Sequence, residues 1–122
     1  MSSRDRASPE IYHKEITEQV IGAAFEVYRV LGYGFLEKVY QQAMGVELAN
    51  RGVRVDLESR MKVLYKGTVV GEYRADLFVE GVVIVEVKVA KTYTAEDEPQ
   101  LLNELKATGI KVGLLINFGR TK

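Results

Sequence analysis

The chain has 122 residues, 47% of them hydrophobic and 28% charged, with 17 acidic and 17 basic side chains and no cysteine. This suits a single globular domain over residues 1–122 and excludes an intrinsically disordered chain, a disulfide framework, a thiolate metal site and a cysteine nucleophile. The balanced charge excludes a broadly basic nucleic-acid binder, so affinity for DNA or RNA has to come from a local patch or a bridging metal. No apolar run approaches the length of a membrane span, and the opening MSSRDRASPE lacks the apolar stretch of a secretory signal. A cytoplasmic protein without membrane association is expected.

Residues 1–8 are polar and expected to be flexible. Ser8, Pro9 and Glu10 read as a helix start, with Ser8 as N-cap and Pro9 in the first turn. Ile16, Val20, Ala24, Val27, Tyr28 and Leu31 recur every three or four residues as one apolar helical face, which Gly32-Tyr33-Gly34 ends. A second helix carries Leu36, Val39, Tyr40, Ala43 and Met44 and closes at Asn50-Arg51-Gly52, with Gly52 as its left-handed cap. The period then changes to two. Val53, Val55 and Leu57, then Met61, Val63 and Tyr65, alternate with polar residues up to a turn at Lys66-Gly67-Thr68. Strand character resumes from Tyr73 to Val79, and Glu80-Gly81 turns into the oily run Val82–Val89, which reads as a strand covered on both faces. Residues 95–108 read as a helix stopped by Gly109, and Val112–Phe118 as a last strand. The order is α-α-β-β-β-α-β, an α/β fold whose final strand–helix–strand unit should be a right-handed parallel crossover.

Chemistry concentrates where charge interrupts the oily strand. Glu86 and Lys88 are two residues apart and share a face of it. An isolated, satisfied ion pair is the plain reading of such a Glu-x-Lys. Asp76 lies on the preceding strand and can face Glu86 across the turn. Two facing carboxylates repel unless a proton or cation sits between them. Magnesium, or manganese, is a hard ion that suits two carboxylates with water and phosphate oxygens, and Lys88 would add a positive charge for a phosphate. Register decides whether this can form. A two-residue loop of Glu80 and Gly81 would turn Asp76 to the wrong face, whereas an odd-numbered loop sets it across from Glu86.

Several motifs stand in order along the chain: Ile21-Gly-Ala-Ala-Phe-Glu-Val-Tyr-Arg-Val-Leu-Gly32, Gly34-Phe-Leu-Glu37-Lys-Val-Tyr40, Tyr73-Arg-Ala-Asp-Leu77, Glu86-Val-Lys88, Gln100-Leu-Leu-Asn103, Leu105-Lys-Ala-Thr-Gly109 and Gly113-Leu-Leu-Ile-Asn-Phe-Gly119. Together they resemble the bacterial GxxExxY protein family, a branch of the PD-(D/E)XK nuclease superfamily, over roughly residues 10–119. The resemblance implies a restriction-endonuclease-like core, a central mixed β-sheet flanked by helices, and a magnesium-dependent nuclease acting on DNA, or else RNA. It implies that Asp76, Glu86 and the carbonyl of Val87 hold the metal, that Lys88 is the catalytic lysine, and that Glu37 is a helix-borne acid near the metal. Gln100 matches the start of a Q-x-x-x-Y motif that positions substrate in exonuclease-like relatives, but Glu104 stands where that tyrosine would be.

Other candidates carry two readings each. Tyr40 is either a core ring with its hydroxyl tied off or a substrate-facing residue beside Glu37. Glu37 itself could simply complement the helix dipole. Arg74 either contacts phosphate or pairs with a surface acid. His13, the sole histidine, reads as a surface residue, so no Ser-His-Asp site is expected. A non-catalytic nucleic-acid or protein binding module that keeps the same fold is the alternative to the enzyme. A homo-oligomer is compatible with the sequence, which does not fix the oligomeric state.

Overall fold

A computed structural model describes residues 13–90 and 97–119. In chain order these form α1 (Lys14–Leu31), α2 (Glu37–Asn50), β1 (Val55–Tyr65), β2 (Thr68–Val79), β3 (Val83–Lys88), α3 (Asp97–Thr108) and β4 (Val112–Asn117). This is the α-α-β-β-β-α-β order that periodicity predicts. The expected flexible stretch 1–8 and the helix start at Ser8 lie outside the described residues, as do positions 95 and 96. Among the described residues no helix is long and apolar enough to cross a membrane.

The four strands form one mixed sheet in the order β1-β2-β3-β4. β1, β2 and β3 run antiparallel, and β3 pairs with β4 in parallel. The sheet has a core on each face. Val20, Ala23 and Val27 of α1 and Tyr40, Met44 and Leu48 of α2 close over Leu77, Val79, Val83, Val85 and Val87. On the other face Leu101 of α3 covers Ala75 and Ile84, with Met61, Tyr73 and Leu105 around them.

The buried stripe of α2 is rotated from the expected one. Leu36 and Val39 are exposed, while Tyr40, Gln41, Met44, Gly45 and Leu48 face inward. Gly45 lies within this stripe, where an added Cβ would meet the end of the Leu57 side chain at 3.2 Å, so β1 packs closely against α2 at this point. Tyr28, also expected in the core, is half exposed on α1.

Turn chemistry sets the register. Lys66 and Gly67 both have positive φ, at 51° and 84°, and join Tyr65 to Thr68 in a two-residue hairpin of the kind whose twist suits the strands. β2 therefore begins at Thr68, earlier than the alternating pattern from Tyr73 suggests. Between β2 and β3, Glu80 and Gly81 again take positive φ, and Val79 pairs with Val83 around the three-residue loop Glu80–Val82. The pairs Val79–Val83, Phe78–Ile84 and Leu77–Val85 point to Asp76 as the next partner of Glu86.

The ladder ends before that pair. Leu77 belongs to the core under α1 and α2, yet Ala75, two residues away, belongs to the core under α3. On a regular strand both would share a face. The exchange happens at Asp76, and Glu58, which lies between the pairs Leu57–Leu77 and Ser59–Ala75 on β1, has a positive φ of 52°. The β1–β2 ribbon bends here and leaves β3, so the far half of the hairpin reaches over α3.

Candidate functional site at the fork of the sheet

Glu86 and Lys88 take the face of Ile84, because Val83, Val85 and Val87 fill the opposite core. Both side chains are half-buried and point toward α3. A small cavity of about 50 Å³ lies there, lined by Glu86, Lys88, Asp97, Gln100, Leu101, Glu104 and Leu115. A larger apolar groove of about 710 Å³, between α1 and β4, is lined by Ile21, Phe25 and Tyr28 among others and by none of these charged residues.

Asp76 fills the fork itself. Where the ladder would continue, the Val87 N–H donates to Asp76 Oδ2 at 2.8 Å. The Asp76 main chain in turn hydrogen-bonds the Glu86 carboxylate. Each acid thus braces against the other's strand. Val87 enters the site through its main chain, since its side chain is core. The Tyr73 hydroxyl donates to Glu86 Oε2. Gln41, the buried polar side chain of α2, donates from Nε2 to the Asp76 carbonyl at 3.1 Å and also hydrogen-bonds Glu58. The bend is therefore held from both sides by hydrogen bonds.

The electrostatics are those of a cluster short of positive charge. Burial, then the Glu104 carboxylate, push the Glu86 carboxyl up to about 7, against Lys88, which favours the ionised form; the more remote charge of Glu37 adds to the rise. Glu104 is also raised, by burial first and then by Asp76, again opposed by Lys88. Lys88 closes no ion pair within 4 Å among the described residues, so the isolated Glu86–Lys88 pair is not what forms. Its charge is shared between two acids.

The structure brings Asp76, Glu86, Lys88 and Gln100 together around the fork and its cavity. Glu37, exposed in the first turn of α2, reaches Glu86 only through its field. Arg74 is exposed on the ribbon, 3.9 Å from Glu58. The substrate-facing expectation for Tyr40 does not fit its placement. It is fully buried, its hydroxyl donates to the Gly32 carbonyl at 2.6 Å, and its ring stacks on Phe118 at 4.6 Å. It braces the loop that leads into Glu37. Glu104, Tyr73 and Gln41 also meet at this site; in the sequence Glu104 stands out only as the residue in place of a motif tyrosine, and Tyr73 and Gln41 carry no signal of a role there. Glu104 could have been found from helical spacing, since it lies one turn after Gln100.

Among the described residues, no group of three or more Asp, Glu or His side chains is disposed as it stands to hold a metal ion. The donor chemistry nevertheless suits one. The carboxylates of Asp76, Glu86 and Glu104 are hard oxygen ligands, and a cation among them would offset the mutual repulsion that adds to burial in raising Glu86 and Glu104.

A model of the PD-(D/E)XK nuclease superfamily matches residues 14–122, and the chain belongs to that superfamily. No curated protein and no solved structure matches the chain.

Proposed function

We propose that the protein is a magnesium- or manganese-dependent nuclease that hydrolyses phosphodiester bonds of DNA, or of RNA, at the fork between β2 and β3. The observation that carries this reading is the mutual bracing of Asp76 and Glu86, with Lys88 beside them and two carboxyls, Glu86 and Glu104, raised first by burial and then by neighbouring acids. The finer assignment to the GxxExxY branch rests on Gly34, Glu37 and Tyr40 and the motifs downstream.

In this reading Asp76, Glu86 and the Val87 carbonyl hold the ion. A magnesium ion bound there supplies charge neutralisation at the scissile phosphate and activation of water. The residues themselves do the rest. Tyr73 fixes the orientation of the Glu86 carboxylate. Asp76 keeps its place through the Val87 N–H and the Gln41 amide. The Lys88 ammonium, whose charge is shared between Glu86 and Glu104, stabilises negative charge developing on the phosphate. Gln100, at the cavity mouth, positions substrate, and Glu37 adds a distant negative charge that favours a second cation or an outer water.

The test is cleavage of a supercoiled plasmid and of labelled single-stranded DNA and RNA with magnesium or manganese. Wild type should cleave, and Asp76→Asn, Glu86→Gln and Lys88→Met should lose at least about a hundredfold of that activity. A wild type that binds nucleic acid but never cleaves it favours the non-catalytic binding module.

A further inference from the structure

Beyond the fork, the β1–β2 ribbon presents two unlike faces. Met61 and Tyr73 pair across it and turn inward onto Ala75, Ile84 and Leu101. The residues between them turn outward. Arg60 sits directly opposite Arg74, and Lys62 opposite Glu72. Directly opposed residues share a face, as do residues two apart, so Arg60, Arg74, Lys62 and Glu72 form one outward row.

That row is unusual for a chain of zero net charge. It carries three cations and one acid, and two of the cations are arginines set face to face. Directly opposed like charges destabilise a strand pair. The available counter-charges compensate weakly. Arg60 stands 3.8 Å from Glu72 and Arg74 3.9 Å from Glu58, all four more than a third exposed. Glu58 is in addition already held by Lys38. Exposed pairs this long contribute little. Three weakly compensated cations gathered on one exposed face of the ribbon are complementary to a polyanionic chain. At about 3.3 Å per residue, Arg74 lies about 7 Å, and the level of Lys62 about 13 Å, along β2 from Asp76.

We infer that this outward face of the β1–β2 ribbon, through Arg60, Lys62 and Arg74, binds the phosphodiester backbone of a nucleic acid beside the fork. The inference takes its direction from the nuclease reading, but the contact itself needs neither metal nor catalysis. It supplies the local patch that the balanced overall charge otherwise withholds.

The test is binding without chemistry. Fluorescence anisotropy of labelled duplex and single-stranded oligonucleotides is measured in EDTA over a range of salt concentration. Each of Arg60→Gln, Lys62→Gln and Arg74→Gln should flatten the slope of log K against log salt by about 0.9 on duplex or about 0.7 on single strands. Arg29→Gln, an exposed cation on α1, should leave the slope unchanged. Arg74→Gln should melt at the wild-type temperature or above it, since it relieves the opposed arginines; a lower melting temperature would instead make Arg74 the structural partner of Glu58 and overturn its place in the row. Absence of wild-type binding, or slopes indifferent to all three substitutions, would overturn the inference as a whole. A wild type that never cleaves, with the expected slope changes observed, would count against the nuclease reading alone.

Discussion

At the scale of single residues, Glu86 sets the pH response. Burial raises its carboxyl to about 7 from the usual 4.5. Between those values the folded protein holds a proton that the unfolded chain releases, so stability falls as pH rises through that window. Glu86→Gln mimics the protonated form. Its melting temperature should match wild type below the window, exceed it above pH 7, and change less between; parallel melting curves across this range would contradict the burial of Glu86. Lys88→Met tests a different point. Because Lys88 is shared by two acids and closed to neither, the substitution should change stability by less than about 1 kcal/mol, while activity collapses. A destabilisation of about 3–5 kcal/mol, the usual result of stranding a buried partner, would restore the ion-pair reading. Tyr73→Phe removes the hydroxyl that orients Glu86. Isothermal titration with manganese should register about tenfold weaker binding, the scale on which such outer partners act.

At the scale of elements, two contacts tie distant segments to the fork. Gln41 links α2 to the Asp76 carbonyl. Gln41→Leu keeps the volume but leaves that carbonyl without its donor, which should destabilise by about 1–3 kcal/mol in urea titrations. An unchanged midpoint would mean that the bend at Asp76 holds without the helix. The end of β3 is held from β4, where Phe118 N–H donates to the Lys88 carbonyl at 2.8 Å and Asn117 Nδ2 to the Ala90 carbonyl at 3.0 Å. Gly119 lies so close that a Cβ would sit 2.3 Å from the Ala90 oxygen. Gly119→Ala must therefore push main chain apart, at about 1–3 kcal/mol, and should shift the amide resonances of Lys88 to Ala90. Resonances that stay in place would argue against this close approach.

At the scale of the whole molecule, metal binding and folding are linked. If the acids at the fork hold an ion, magnesium or manganese at about a hundred times its dissociation constant should stabilise the protein by about 2.7 kcal/mol. Asp76→Asn should abolish the rise in melting temperature without unfolding the chain. Since Glu86 must lose its proton to take part, the rise should grow with pH toward 7 and level off above it. A wild-type melting curve indifferent to millimolar manganese would count against the site. Overall charge adds nothing here, because acids and bases balance; local placement alone decides what is attracted.

Element order, turn positions and strand faces were written locally in the sequence. Periods of two and 3.6 separate strands from helices, Gly52, Gly81 and Gly109 mark left-handed stops, and the three-residue loop Glu80–Val82 brings Asp76 level with Glu86. Each of these follows from the chain within a few residues. What local pattern could not express is how elements far apart in the chain close on one another. The bend at Glu58 and Asp76 exists because the ribbon must serve one core under α2 and another under α3. Glu104 meets Glu86 only because α3 folds back over β3, and Tyr40 is claimed by Phe118 and the Gly32 carbonyl rather than by the cleft. The opposed Arg60 and Arg74, fourteen positions apart in the chain, become one surface only through the hairpin register. Burial and proximity between remote segments are properties of packing, and packing is decided by the whole fold at once.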